Sequence, residues 1–224
     1  MRIQKLADNN FDTSKTVLLC CKGPSSINAP AHAEGKYVAV TTSACNIFDR
    51  CDFLFANDVE FFETADIGHV DNIIVPLVMH LTEFHEGFGR PVAGIHEHLP
   101  TERHVFHHAI GDLCTGKNVY TYKLHTQDQI PKYKNMEISP AGDDFSFPLI
   151  LSGYHTALYW LIKAGFRDFE IFGVSTCGSY NDNTVNKKVP NNPRPLLFYQ
   201  QNYQLGIDIL EQYGCSYAIH TNTS

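Results

Sequence analysis

Short apolar runs, each followed by a polar turn, recur along the chain and predict buried β-strands. In the first, Val17 to Cys21 are apolar at every position and lead directly into the turn Lys22–Ser25. A run that is apolar at every position, instead of at alternate ones, is typical of a parallel strand covered on both faces. The predicted strands are Thr16–Cys21, Tyr37–Thr41, Cys51–Ala56, Asn72–Pro76, Asn118–Leu124, Asp168–Phe172 and Ser216–Ile219.

Helical periodicity appears in the last third of the chain. The spacing predicts a helix over Gly153–Ala164, with Ser152 as its N-cap and Gly165 as its stop, and a last helix over Phe198–Tyr213. Strands alternating with helices indicate a parallel, doubly wound sheet. We therefore predict an α/β protein with one Rossmann-like domain over residues 1–224 and helices on both faces of the sheet.

Residues 80–148 do not follow this pattern. They are rich in His, Pro, Gly and aromatic residues, and they predict an insertion or lid. The segment His80–His108 holds seven histidines, of which His96 and His98 would share a face if they lay on a strand and could then ligate a metal. Histidines without a metal are the more common case, so we predict no metal site.

Composition excludes several classes of protein. Hydrophobic residues make up 43% and charged residues 18%, as in an ordinary globular protein, and the net charge of −7 argues against a nucleic-acid scaffold as partner. The first eight residues lack the apolar core of a signal peptide and no run is long enough to span a membrane, which predicts a cytoplasmic protein. The adjacent Cys20 and Cys21, among seven cysteines without a CxxC pair, predict reduced thiols.

Small polar residues follow several of the predicted strands. Lys22 offers a cation and Ser25 a hydroxyl, while Gly23 permits close approach of a ligand and Pro24 stiffens the turn. Because the carboxyl ends of parallel strands meet at one edge of a sheet, these groups are expected to converge on a nucleotide. The other groups expected there are Thr42, Ser43, Asn57, Asp58, Gly173, and the pair Ser152 and Gly153 at a helix N-terminus that favours an anion.

Three segments of the chain resemble small bacterial lipo-oligosaccharide sialyltransferases and the related hydroxymethylpterin pyrophosphokinases. They are the strand and Gly-Pro-Ser loop of Val17–Ser25, the Asn-containing segment Phe55–Phe62, and the block from Ser152 to Val174. The resemblance implies that Gly23, Ser25, Asn57, Ser152 and Gly173 contact a nucleotide, which in the sialyltransferases is the CMP part of CMP-sialic acid.

The chain departs from the sialyltransferase pattern at four places. Lys22 replaces an asparagine, Leu149 a basic residue and Ser175 an acidic residue. The region Pro193–Tyr199, where these enzymes carry their catalytic histidine, contains no histidine. The resemblance is therefore more specific for the fold and the nucleotide pocket than for the reaction.

Three functions remain open at this point. The first is a transferase that moves a sugar from a nucleotide-sugar, such as a CMP-sugar, to a glycan or small-molecule acceptor, with no cofactor. In this reaction Lys22 stabilises the departing phosphate and His155 is the candidate base. The second is diphosphate transfer with Mg²⁺ held by Asp58 or Asp143, and the third is a nucleotide-binding module without catalysis. A homo-oligomer is compatible with each.

Overall fold

The strands and helices begin and end close to the predicted positions. The computed structural model describes residues 2–4, 6–56, 61, 66–76, 114–124, 146–147, 152–176 and 196–221. Within these ranges the strands are β1 Arg2–Ile3, β2 Val17–Cys20, β3 Tyr37–Thr41, β4 Cys51–Phe55, β5 Val70–Pro76, β6 Asn118–Leu124, β7 Ser146–Phe147, β8 Asp168–Phe172 and β9 Ser216–His220. The α-helices there are α1 Gly153–Lys163 and α2 Leu196–Gln212.

All of these strands pair in parallel within one sheet. The order across the sheet is β1-β6-β5-β4-β3-β2-β8-β9, and β7 pairs with β6. From β2 the chain proceeds strand by strand in one direction as far as β6, and it then returns to place β8 on the other side of β2. The predicted parallel, doubly wound sheet is confirmed. The direction of strand addition reverses between β2 and β8, which is the switch point where open α/β sheets bind ligands.

The unbroken apolar run of β2 is explained by burial on both faces of the sheet. Val17 and Leu19 join a cluster with α1 and α2, whereas Leu18 and Cys20 join a cluster on the opposite face. All four side chains are fully buried. Strict alternation of apolar and polar residues would have exposed one face of the strand to solvent. The unbroken apolar run therefore indicates that β2 is a central strand.

The two faces of the sheet are covered by different kinds of helix. On one face lie α1 and α2, and Trp160 of α1 is fully buried there, with its ring beside those of Phe53 and Phe55 on the sheet. On the other face lie the 3₁₀ helices Pro24–His32 and Thr42–Ile47. The predicted covering of both faces is therefore present among the described residues, with 3₁₀ helices in the second layer.

Two segments contribute more to the fold than the sequence indicated. The sequence predicts no strand or helix in the first 15 residues, yet β1 lies there and pairs with β6. In the same segment, the Phe11 ring lies 4.9 Å from that of Phe53 and 6.2 Å from that of Trp160. β6 falls inside the predicted insertion of residues 80–148 but forms part of the main sheet, between β5 and β1. Apart from residues 114–124 and 146–147, the predicted insertion or lid lies outside the described residues. No helix in the described part of the chain has the length and apolarity needed to cross a bilayer.

Candidate functional site

A pocket of about 250 Å³ opens at the carboxyl edge of the sheet, at the switch point between β2 and β8. Its walls are the segments that follow β2, β3, β4 and β8, together with the first turns of α1 and α2. The lining residues are Cys21, Lys22, Gly23, Thr41, Thr42, Phe55, Ser152, Gly153, Tyr154, Gly173, Val174, Ser175, Phe198, Tyr199 and Asn202. The predicted convergence of strand ends is thus present in the structure. The pocket is slightly smaller than the ~300–1,000 Å³ that is usual for ligand pockets.

The floor of the pocket is formed by two loops that are hydrogen-bonded to each other. The Gly23 N–H donates to the Gly173 carbonyl oxygen over 2.7 Å, and the Gly173 N–H donates to Ser25 Oγ over 2.8 Å. A Cβ on Gly23 would lie 2.6 Å from the Gly173 carbonyl oxygen, and one on Gly173 would lie 2.2 Å from that of Cys21. These glycines are therefore required by loop–loop packing, whereas the sequence suggested that Gly23 makes room for a ligand.

Three predicted ligand contacts do not line the pocket. Ser25 and Ser43 are buried, with 4% and 3% of their surface exposed, and Pro24 begins the 3₁₀ helix behind the loop. The Ser25 hydroxyl accepts the Gly173 N–H, so it holds the two loops together beneath the pocket. Of the predicted residues, Lys22, Gly23, Thr42, Ser152, Gly153 and Gly173 do line it.

The N-terminus of α1 points its first turn at the pocket. Ser152 is the N-cap residue, but its side chain makes no capping hydrogen bond. Its hydroxyl instead lies 3.4 Å from His155 Nδ1. The first backbone N–H groups of an α-helix have no partner within the helix, and with the helix dipole they favour a bound anion.

His155, the predicted candidate base, is placed behind the pocket wall and does not line the pocket. Its side chain is fully buried, and Nε2 lies 2.9 Å from the Asn202 carbonyl oxygen, so Nε2–H donates and Nδ1 is the acceptor from Ser152. Burial lowers the pKa of His155, and the bond to Asn202 opposes that shift only in part. The ring is therefore a neutral link between α1 and α2. This placement does not favour a proton transfer with a ligand.

Three side chains of the pocket hold polar atoms that lack a protein partner. Thr42 Oγ1, the Tyr154 hydroxyl and Asn202 Oδ1 are buried without a hydrogen bond. Thr42 also has a φ of 45°, which is unusual for a residue other than glycine and is found at strained functional positions. Buried polar groups without partners are uncommon in folded proteins, so these oxygens are suited to a ligand.

The thiol of Cys21 also lines the pocket. Burial raises its pKa to about 12, and the Thr41 hydrogen bond and the nearby Lys22 offset this only in part. Cys21 is therefore a protonated thiol at neutral pH and not a thiolate.

Sequence reasoning missed the contribution of α2. Phe198, Tyr199 and Asn202 lie on the first turns of this helix, with i, i+3 and i, i+4 spacing that places them on one face. The apolar periodicity of the predicted helix Phe198–Tyr213 is carried by Leu205 and Ile209, further along the helix. The signal available in the sequence was that Phe198 and Tyr199 precede Asn202 by four and three residues.

Several predicted residues fall outside the described part of the chain. They are Asn57, Asp58, Asp143 and the histidines of His80–His108. Their roles, including Mg²⁺ binding by the two aspartates, stay predictions.

The similarity found to known proteins is structural and distant. No protein-family model matches the sequence, and no curated protein matches it either. Among solved structures, the sialyltransferase CstII from Campylobacter jejuni, in complex with the substrate analogue CMP-3FNeuAc, is similar at 15% sequence identity and a TM-score of 0.45. The match covers 94% of this chain and 82% of that one. The relationship is a distant structural one.

Proposed function

We propose that the switch-point pocket binds a nucleotide-activated sugar, most specifically a CMP-sugar, and that the protein is a glycosyltransferase. The observation that carries the proposal is the composition of the pocket. Lys22 and the N-terminus of α1 line the same pocket as the aromatic rings of Tyr154, Phe198 and Tyr199. A nucleotide has the same two parts, an anionic phosphate and a flat base.

The polar part of the pocket suits the phosphate. Lys22 supplies a positive charge, and the first turn of α1 supplies backbone N–H groups that the Ser152 side chain does not cap. Hydrogen bonds in which one partner is charged are about twice as strong as neutral ones. When the sugar–phosphate bond breaks, the phosphate gains negative charge, and these groups stabilise it without rearrangement.

The other part of the pocket suits the base. Flat rings such as those of Phe198 and Tyr199 pack against the face of a nucleobase. The unpartnered Asn202 Oδ1 accepts a hydrogen bond, and the exocyclic amino group of cytosine is a donor of this kind. Adenine and guanine carry amino donors as well, so the preference for a cytidine nucleotide rests on the resemblance of Val17–Ser25, Phe55–Phe62 and Ser152–Val174 to the sialyltransferases.

In the reaction, the acceptor hydroxyl oxygen forms a bond to the anomeric carbon while the bond from that carbon to the phosphate oxygen breaks. CMP leaves with the bonding electron pair, and Lys22 and the α1 N-terminus stabilise its charge. The acceptor proton passes to a base that the described lining residues do not supply, since none of them is a histidine or a carboxylate.

A calorimetric titration with CMP tests the proposal. We expect CMP to bind without added metal, and Lys22→Gln to weaken binding at least about tenfold, because a charge-assisted hydrogen bond is lost. Lys163→Gln is the matched control, since Lys163 is exposed at the other end of α1. Absence of CMP binding, or equal effects of the two variants, would contradict the proposal.

Release of CMP from a CMP-sugar separates the three functions that the sequence left open. A transferase releases CMP in the presence of an acceptor, whereas a binding module binds CMP and releases nothing from the donor. Turnover that requires Mg²⁺ and ATP instead would indicate diphosphate transfer.

A further inference from the structure

A second cluster of chemically active side chains lies on the opposite face of the sheet from α1 and α2. It consists of His32 at the end of the 3₁₀ helix, Glu170 in the middle of β8 and His220 at the end of β9. His32 Nδ1 and His220 Nε2 each lie 2.8 Å from Glu170 Oε1. None of the three residues lines the switch-point pocket.

Neighbouring side chains fix the orientation of the three groups. The Phe172 ring stacks on that of His220 at 4.1 Å with an interplanar angle of 2°, and the His32 ring lies 5.0 Å from that of Phe172. Lys36 donates to Glu170 Oε2, which leaves Oε1 directed at the two imidazoles. Outer hydrogen bonds of this kind orient ligands in metal sites.

We propose that His32 Nδ1, Glu170 Oε1 and His220 Nε2 bind a divalent transition metal ion such as Zn²⁺. The three atoms lie within 4.8 Å of one another. Tetrahedral zinc with bonds of ~2.0–2.1 Å places its ligand atoms about 3.3 Å apart, so small side-chain movements are sufficient. The protein would then hold a metal in addition to its proposed nucleotide, on a separate surface.

The donor set selects the class of metal. Two imidazole nitrogens and one carboxylate oxygen suit Zn²⁺, Ni²⁺ or Cu²⁺, whereas Mg²⁺ and Ca²⁺ prefer oxygen ligands throughout.

The site differs from a closed structural zinc site. It has three protein ligands, and the side chains of His32 and His220 are 41% and 38% exposed. A fourth coordination position is thus open to solvent, where water or a small ligand binds. The three ligands come from distant parts of the sequence, so a bound ion would tie the 3₁₀ helix after β2 to the C-terminal strand β9.

Zinc titration of the full chain tests the proposal. We expect His32→Gln and His220→Gln each to bind one equivalent of Zn²⁺ fewer than the wild type in calorimetry. The double variant His107→Gln, His108→Gln is the matched control and is expected to keep that equivalent. Because the chain has 12 histidines, the difference in stoichiometry is the informative quantity.

Thermal unfolding gives a second readout. At a Zn²⁺ concentration about 100 times the dissociation constant, we expect Tm to rise by about 5–10 °C in the wild type and the control, and not in the two variants. Both substituted side chains are substantially exposed, so far-UV circular dichroism should show wild-type folding without metal. If the two folded variants retain the full stoichiometry and the Tm rise, the proposal is wrong and the cluster is an ion-pair network around Glu170.

Discussion

Gly173 shows how a single backbone position controls the pocket. Its φ is +72°, and a Cβ there would lie 2.2 Å from the Cys21 carbonyl oxygen. We expect Gly173→Ala to destabilise the protein by about 2–4 kcal/mol, because the substitution combines a left-handed backbone with overlap against a fixed main chain. Urea denaturation measures the change.

Gly153→Ala is the control for this prediction. A Cβ on Gly153 would lie 4.0 Å from the Thr41 side chain, which is an ordinary contact. We expect its free energy of unfolding to change by less than ~1 kcal/mol. Similar losses in the two variants would show that the contact between the loops of Gly23 and Gly173 does not limit stability.

Because His155 is buried, we expect the protein to lose stability in mild acid. Its pKa is lower in the folded protein than the ordinary 6.5, because burial disfavours the imidazolium. The unfolded chain therefore takes up the proton first. The contribution of His155 to stability is fully present above about pH 6.5 and is lost as the pH falls towards the lowered pKa, with a slope of up to ~1.4 kcal/mol per pH unit.

The measurement is the urea midpoint of the wild type and of His155→Gln between pH 7.5 and 5.5. The difference between the two slopes isolates His155 from the other histidines. An identical pH dependence in both proteins would mean that His155 is protonated as easily when folded as when unfolded.

The single residues that could be predicted were those at strand ends. Lys22, Thr42 and Gly173 could be predicted as pocket residues because each directly follows an apolar strand. A strand end of this kind can be recognised from a few neighbouring positions of the sequence. The burial of Ser25 and His155 was not visible. It depends on contacts with Gly173 and Asn202, which lie 148 and 47 positions away.

At the scale of elements, the contact between α1 and α2 depends on Gly206. A Cβ there would lie 2.3 Å from Tyr154 Cε1 and 2.5 Å from its hydroxyl oxygen. We expect Gly206→Ala to destabilise the protein by about 1–3 kcal/mol, because the helices must separate or the Tyr154 ring must turn towards the pocket. Thermal unfolding, together with CMP titration, measures both consequences.

Gln201→Ala, at an exposed position of the same helix, is the control and should change stability by less than ~0.5 kcal/mol. In the double variant Gly206→Ala, Tyr154→Ala the two losses should be less than additive, since the second change removes the ring that the first one meets. Strict additivity would indicate that the two residues are not coupled.

The strands were easier to predict than the groups that join them. Each of the seven longer strands is a local segment rich in apolar residues, and six of the predicted strands both start and end within one residue of the observed bounds. The cluster of His32, Glu170 and His220 has no local signal, because its members belong to three elements that only the sheet order brings together.

For the whole molecule, the alternation of strands and helices predicted a parallel sheet but not its order. The order depends on which side of β2 the chain returns to, and the sequence between β6 and β8 carries no local mark of that choice. The return past β2 creates the switch point, so the position of the pocket is a property of the topology and not of any one motif.

The position of β2 between β3 and β8 also governs when the pocket can exist during synthesis. β2 leaves the ribosome long before its partner β8, which begins at Asp168, and Val17 pairs with Phe169. Until that part of the chain emerges, one edge of a fully apolar strand has no neighbour and is open to pairing with other chains. A nascent chain stopped before Asp168 therefore has the strand-end residues of β2 and β3 but neither the switch point nor the pocket, and its unpaired β2 edge favours aggregation.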